Sequence, residues 1–161
     1  MQKQILHLAR YPSVLIVAMS YVIHLIFGAL LQFFLPIYKR YFGDVGGADF
    51  YEDSILVIYL TVGVFGPLIE TLLFQLIPIY LMSLIKKMPY WSIIIVSALC
   101  FVLTHHYSWL YVFYTFFLGI VYATTFLVLK NKRGYVFAFW LVFLVHAFYN
   151  TTVFFIKQLS I

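Results

Sequence analysis

The chain has 161 residues, 65% of them hydrophobic, 22% aromatic and only 9% charged, with a formal net charge of +5. A soluble domain of this length has too little interior to hide that much apolar surface, which leaves an all-α polytopic membrane protein with room for about five spans at roughly 20 residues each. The Lys and Arg residues sit in small groups between apolar stretches, a pattern of topology signals and lipid-headgroup contacts and not of nucleic-acid binding; Cys100 is the only cysteine, so no internal disulfide forms.

In chain order, Lys3 and Arg10 precede an apolar run from Ser13 to about Leu35. The run is too long for a signal-peptide core and no small-residue cleavage site follows it, so it predicts an uncleaved first span. A polar loop from Tyr38 to Asp53 follows, with Lys39, Arg40, Gly43, Gly46 and Gly47 and the acids Asp44, Asp49, Glu52 and Asp53. Residues 1–53 thus form an N-terminal transmembrane helix and an acidic loop, and residues 54–161 form the core. The second apolar run, Ser54 to Ile85, is interrupted by Gly66-Pro67 and Pro78, which predicts a tilted and kinked helix or one broken near Pro67. Lys86 and Lys87 end it. The third span is expected from Tyr90 to His106, a turn at Tyr107 to Trp109, and the fourth span from Leu110 to Leu129. Lys130, Lys132, Arg133 and Gly134 make a basic turn before a fifth span, Tyr135 to about Ile156. The apolar runs lack the alternation of a membrane barrel.

Five spans collect Lys3, Arg10, Lys86, Lys87, Lys130, Lys132 and Arg133 on one face, against Lys39, Arg40 and Lys157 on the other. Positive charge stays inside, so the N-terminus of a multi-pass protein is expected in the cytoplasm.

The chemistry concentrates in few residues. Glu70 is the one acid inside an apolar run, where a carboxyl is costly and needs a reason to be present. It lies about 15 residues from the inner end of its run, roughly 22 Å at the helical rise, and His105 lies about as deep in the third span. His146 lies roughly 16 Å and Asn150 roughly 22 Å into the fifth span, four residues apart and so on one face. A converging Glu, two His and an Asn is the composition of a site more often than of packing. No Asp lies in a span, no H-E-x-x-H occurs, and no span Ser has a G-x-S-x-G context, which excludes or disfavours diaspartyl, site-two zinc and rhomboid-like chemistry. A Glu with two His either holds zinc, through Glu70, His105 and His146, or acts metal-free with the Glu as general base. Asn150 is a poor zinc ligand and a good oxyanion donor, which favours no cofactor. His106 is read as a supporting or interfacial residue, His24 as a helix-packing hydrogen bonder, the Trp and Tyr residues as an interfacial belt or packing, and Gly119 as a point of close helix approach.

These residues resemble the motifs of the CPBP superfamily, which includes type II CAAX prenyl endopeptidases and bacteriocin-processing or immunity (Abi-like) proteins. The family's E-E-x-x-x-R is similar to Glu70-Thr71-Leu72-Leu73-Phe74-Gln75, preceded by Gly66-Pro67. Its F-x-x-x-H is Phe101 to His105, an F-x-x-G is Phe116 to Gly119, and H-x-x-x-N is His146 to Asn150. The resemblance covers roughly Ile55 to Phe155. It departs at Thr71 and Gln75, where the family has a second Glu and an Arg. It implies an intramembrane peptidase whose catalytic residues are Glu70, His105, His146 and Asn150, supported by Thr71, Gln75, Phe101 and His106. Glu70, helped by a hydrogen bond from His105, would take a proton from water; His146 and Asn150 would bind the oxyanion. Expected partners are membrane lipid and a membrane-embedded or lipidated peptide, prenylated or leader-bearing. A bacteriocin self-immunity factor or a substrate-binding pseudoprotease is the non-catalytic alternative, and a zinc-dependent protease the other.

Overall fold

The structure, a computed structural model, describes residues 1–46 and 54–159. Gly47, Asp49, Glu52 and Asp53 of the expected acidic loop lie outside the described residues. The described chain is helical: α1 (Gln2–Leu8), α2 (Ser13–Phe42), α3 (Ile55–Ser83), α4 (Tyr90–Val102), α5 (Trp109–Arg133) and α6 (Tyr135–Leu159). Among the described residues four helices, α2, α3, α5 and α6, are long and apolar enough to cross a membrane. Large apolar side chains on their outer faces, such as Phe33, Ile69, Phe113 and Phe148, are exposed, as a lipid-facing surface requires.

The expected third span is shorter than its apolar run. α4 has 13 residues. That is about 20 Å of helix against a hydrocarbon core of about 30 Å. Polar side chains end it. His105 Nδ1 donates to the Phe101 carbonyl at 2.8 Å and His106 Nδ1 to the Leu103 carbonyl at 3.1 Å, so side chains take acceptors that further turns would use. Both histidines therefore stand in the connection to α5 and not on a helix. Ser108 then caps α5 by accepting the Tyr111 N–H at 3.3 Å.

Two other boundaries move outward. α2 runs on to Phe42 with Pro36 inside it, so Lys39 and Arg40 lie in its last turn, where cations complement the helix dipole. Lys39 bonds Asp44 at 3.2 Å and holds that exposed carboxyl below its ordinary range. Lys130, Lys132 and Arg133 likewise belong to the last turn of α5, and the turn to α6 is Gly134 alone, at φ +86°. Lys132 donates to the carbonyls of Ala9 and Tyr11, which fastens the connection between α1 and α2 to this end of the bundle.

α5 is the central helix. Tyr122, Ala123, Phe126, Leu127 and Leu129 are buried against Ile93, Ile94 and Phe101 of α4 and Val142 and Val145 of α6. A Cβ on Gly119 would stand 2.9 Å from the Ala98 Cα, so glycine sets how closely α4 and α5 approach.

Candidate active site

α3 is continuous through Pro67, but it is not a regular α-helix. Leu60–Phe65 and Thr71–Leu76 are π-helical, with Gly66–Glu70 between them. The Gly66 N–H bonds the Thr61 carbonyl and the Ile77 N–H the Leu72 carbonyl, each five residues back. Proline explains where these turns fall. Pro67 has no N–H to give to Val62, five residues before it, and the Asn150 amide supplies that bond from α6 at 2.9 Å. Pro78 has none to give to Phe74, four residues before it, and Ser97 Oγ of α4 bonds that carbonyl at 2.5 Å. Neighbouring helices thus satisfy backbone that proline frees, as hydrocarbon surroundings demand. Single π turns inside α-helices recur at functional sites, and here Glu70 immediately precedes one.

Three side chains from three elements meet at Glu70. His146 Nε2 on α6 is 3.5 Å from Oε2, and His105 Nε2, in the turn after α4, is 3.9 Å from Oε1. The Glu70 side chain keeps 24% of its exposure and His105 14%, against 3% for His146. The carboxylate is therefore reachable from one side and backed by a sealed imidazole. The Phe101 carbonyl only accepts, so His105 Nδ1 carries the proton bonded to it. A neutral His105 then turns a lone pair toward Glu70. The expected hydrogen bond from His105 to the carboxylate does not form in that tautomer, because the ring's one proton is committed elsewhere.

The other predicted residues fall around this centre. Phe101 touches both imidazoles, its ring 4.6 Å from His105 and 5.7 Å from His146 between centroids. Asn150 stands one turn beyond His146, with an amide hydrogen on Val62; it ties α6 to α3 and does not point that hydrogen at Glu70. Thr71 and Gln75 are fully buried, and Thr71 Oγ1 and both Gln75 amide atoms have no hydrogen-bond partner in the protein. His106 is exposed. His24 Nδ1 bonds the Ser20 carbonyl of its own helix.

Tyrosines expected only in an interfacial belt or in packing line the same centre. Tyr122 packs on His146 with centroids 4.6 Å apart, Tyr111 stacks on His105 at 6.0 Å, and Tyr114 and Tyr149 share a hydrogen bond between their hydroxyls. Tyr111, Thr115, Leu118 and Tyr122 recur at helical spacing, and that spacing was the available signal.

Among the described residues no three His, Cys, Asp or Glu side chains are grouped to hold a metal ion.

Comparison with known proteins gives a family. The family model described as type II CAAX prenyl endopeptidase Rce1-like matches residues 52–152. No curated protein and no solved structure matches the chain.

Proposed function

Since the chain belongs to the type II CAAX prenyl endopeptidase Rce1-like family, a family of membrane-embedded proteases, we propose that it hydrolyses a peptide bond within the membrane with water activated by Glu70. The observation that carries this reading is the pair of acceptors formed by Glu70 Oε1 and His105 Nε2, 3.9 Å apart. One water donating to two acceptors at ordinary hydrogen-bond lengths needs them roughly 3.8–4.8 Å apart. Such a water gives one hydrogen to each and turns its lone pairs outward, toward a carbonyl carbon.

The steps follow from that arrangement. The water oxygen attacks the scissile carbonyl carbon while Glu70 takes its proton. His146, with its proton on Nε2, donates to the oxyanion that forms beside the carboxylate. Glu70 then passes the proton to the amide nitrogen as the C–N bond breaks, and amine and acid leave. Asn150 acts mainly by holding α6 on the π turn through Val62, with its second amide hydrogen left for the oxyanion. Water alone supplies the nucleophile, with no metal. The substrate is a lipidated or leader-bearing peptide reaching Glu70 from its open side, and the basic face with the N-terminus lies in the cytoplasm.

The test is cleavage in proteoliposomes of one peptide presented with and without a prenyl group, read by mass spectrometry. Product that persists after chelation, from protein lacking zinc by elemental analysis, is expected. Chelator-sensitive cleavage with stoichiometric zinc overturns the metal-free reading. The neutral, unpartnered Thr71 and Gln75 favour a second reading, a substrate-binding or self-immunity protein without turnover, which the same assay separates.

A further inference from the structure

The first span lies outside residues 52–152, yet it sets a histidine against the site. Ser20, His24 and Gly28 are spaced by four and share one face of α2. Ser20 Oγ accepts from Thr125 Oγ1 of α5 at 2.9 Å. A Cβ on Gly28 would stand 2.8 Å from Tyr149 Oη, so glycine admits α6 there. His24, between them, is completely buried.

Its ring begins a column that ends at Glu70. His24 stacks on Tyr122 of α5, centroids 4.1 Å apart and planes 29° apart. Tyr122 packs on His146 of α6 at 4.6 Å and 33°. His146 Nε2 faces Glu70 at 3.5 Å. A histidine that acts at a site needs its ring plane and tautomer fixed, which is usually the task of a hydrogen bond to its second nitrogen. Here His146 Nδ1 has no hydrogen-bond partner in the protein, and neither does Tyr122 Oη. Ring packing must orient both. Of the three rings only His24 is fixed by a strong hydrogen bond to the fold, from Nδ1 to the Ser20 carbonyl at 2.7 Å.

We propose that His24 is a positioning residue of the site: it anchors the His24–Tyr122–His146 column and thereby directs His146 Nε2 at Glu70. The proposal rests on the endopeptidase reading for its catalytic meaning, but not for its geometry. It also gives α2 a task beyond burying the flank of the bundle.

The experiment uses the full chain in lipid nanodiscs with nitrogen-15 histidine. The ring resonances of His146 are assigned by their loss in His146→Gln. Wild type shows one sharp pair for His146. His24→Phe fills the space without the anchor, and is expected to broaden or split that pair while the protein still melts cooperatively. Tyr122→Leu cuts the column in its middle and gives the same change with His24 intact; Tyr122→Phe keeps the ring and leaves the pair as in wild type. In the cleavage assay, His24→Phe lowers kcat about 10- to 100-fold with KM unchanged, the size expected for a displaced catalytic group. A His146 pair unmoved by both His24→Phe and Tyr122→Leu overturns the proposal, whether or not the protein cleaves. A pair that moves in a protein that cleaves nothing keeps the column and removes the endopeptidase reading instead.

Discussion

Helices α3 and α5 are alike in sequence terms, 29 and 25 residues of apolar chain, and opposite in structure. In its most apolar stretch α5 buries 56% of its residues and α3 only 17%. α5 is a regular helix without proline, closed by Ser108 at one end and Gly134 at the other. α3 carries Pro67 and Pro78, turns twice in π-helical register, and lends backbone carbonyls to α4 and α6. The carboxyl group stands on the irregular helix. The regular one supplies the close approach at Gly119 and the Tyr122 ring that packs on His146. A site of this kind needs both: backbone whose register sets the direction of one charged side chain, and a packed helix that does not yield.

The sharpest way to break the comparison is to put a charge behind Glu70. Thr71→Glu places an unpaired carboxylate in a fully buried position of α3 and is expected to lower stability by about 3–5 kcal/mol. Adding Gln75→Arg restores the family's pair and recovers most of that loss. Thermal unfolding in detergent checks both, and a double variant no better than Thr71→Glu alone would mean that positions 71 and 75 do not face each other. Next in size, Gly119→Val drives a methyl group into Ala98 backbone and is expected to cost about 1–3 kcal/mol, the penalty of overpacking. Ile69→Val, at an exposed position of α3, should be nearly silent. Of similar size, Asn150→Ala leaves the Val62 carbonyl unpaired, at about 1–3 kcal/mol, and reduces cleavage without abolishing it. Pro67→Ala returns an N–H to α3 that competes for Val62, so the cost of Asn150→Ala should shrink in that background by about 0.5–1 kcal/mol in a double-mutant cycle. Strict additivity would refute the account of the π turn.

The parts legible in the sequence are those with contrast. A single carboxyl in an apolar run, and two imidazoles at matching depth, stand out against hydrocarbon, and Glu70, His105 and His146 do stand together. The helical bundle follows from the same apolar runs. The end of α4 was hidden because it depends on histidine side chains taking backbone acceptors, which composition does not reveal. The π turns were half visible: Pro67 and Pro78 marked the strain, but which side chains would answer it needed the positions of Asn150 and Ser97. Tyr122 and His24 were the least legible. Among 14 Tyr and 18 Phe, helical spacing alone does not single out Tyr122, and His24 matters only through a ring on another helix.

The central claim is that Glu70 takes a proton from water. Glu70→Gln keeps the size and most hydrogen bonding of the side chain and removes the basic oxygen, and among the described residues no other carboxylate lies in a membrane span. Cleavage of the lipidated peptide by this variant in proteoliposomes is the direct measurement, beside wild type at matched insertion and melting temperature. The account predicts a fall of at least about 10²–10⁴-fold, the usual contribution of a general base. Wild-type cleavage by a well-folded Glu70→Gln protein would contradict it.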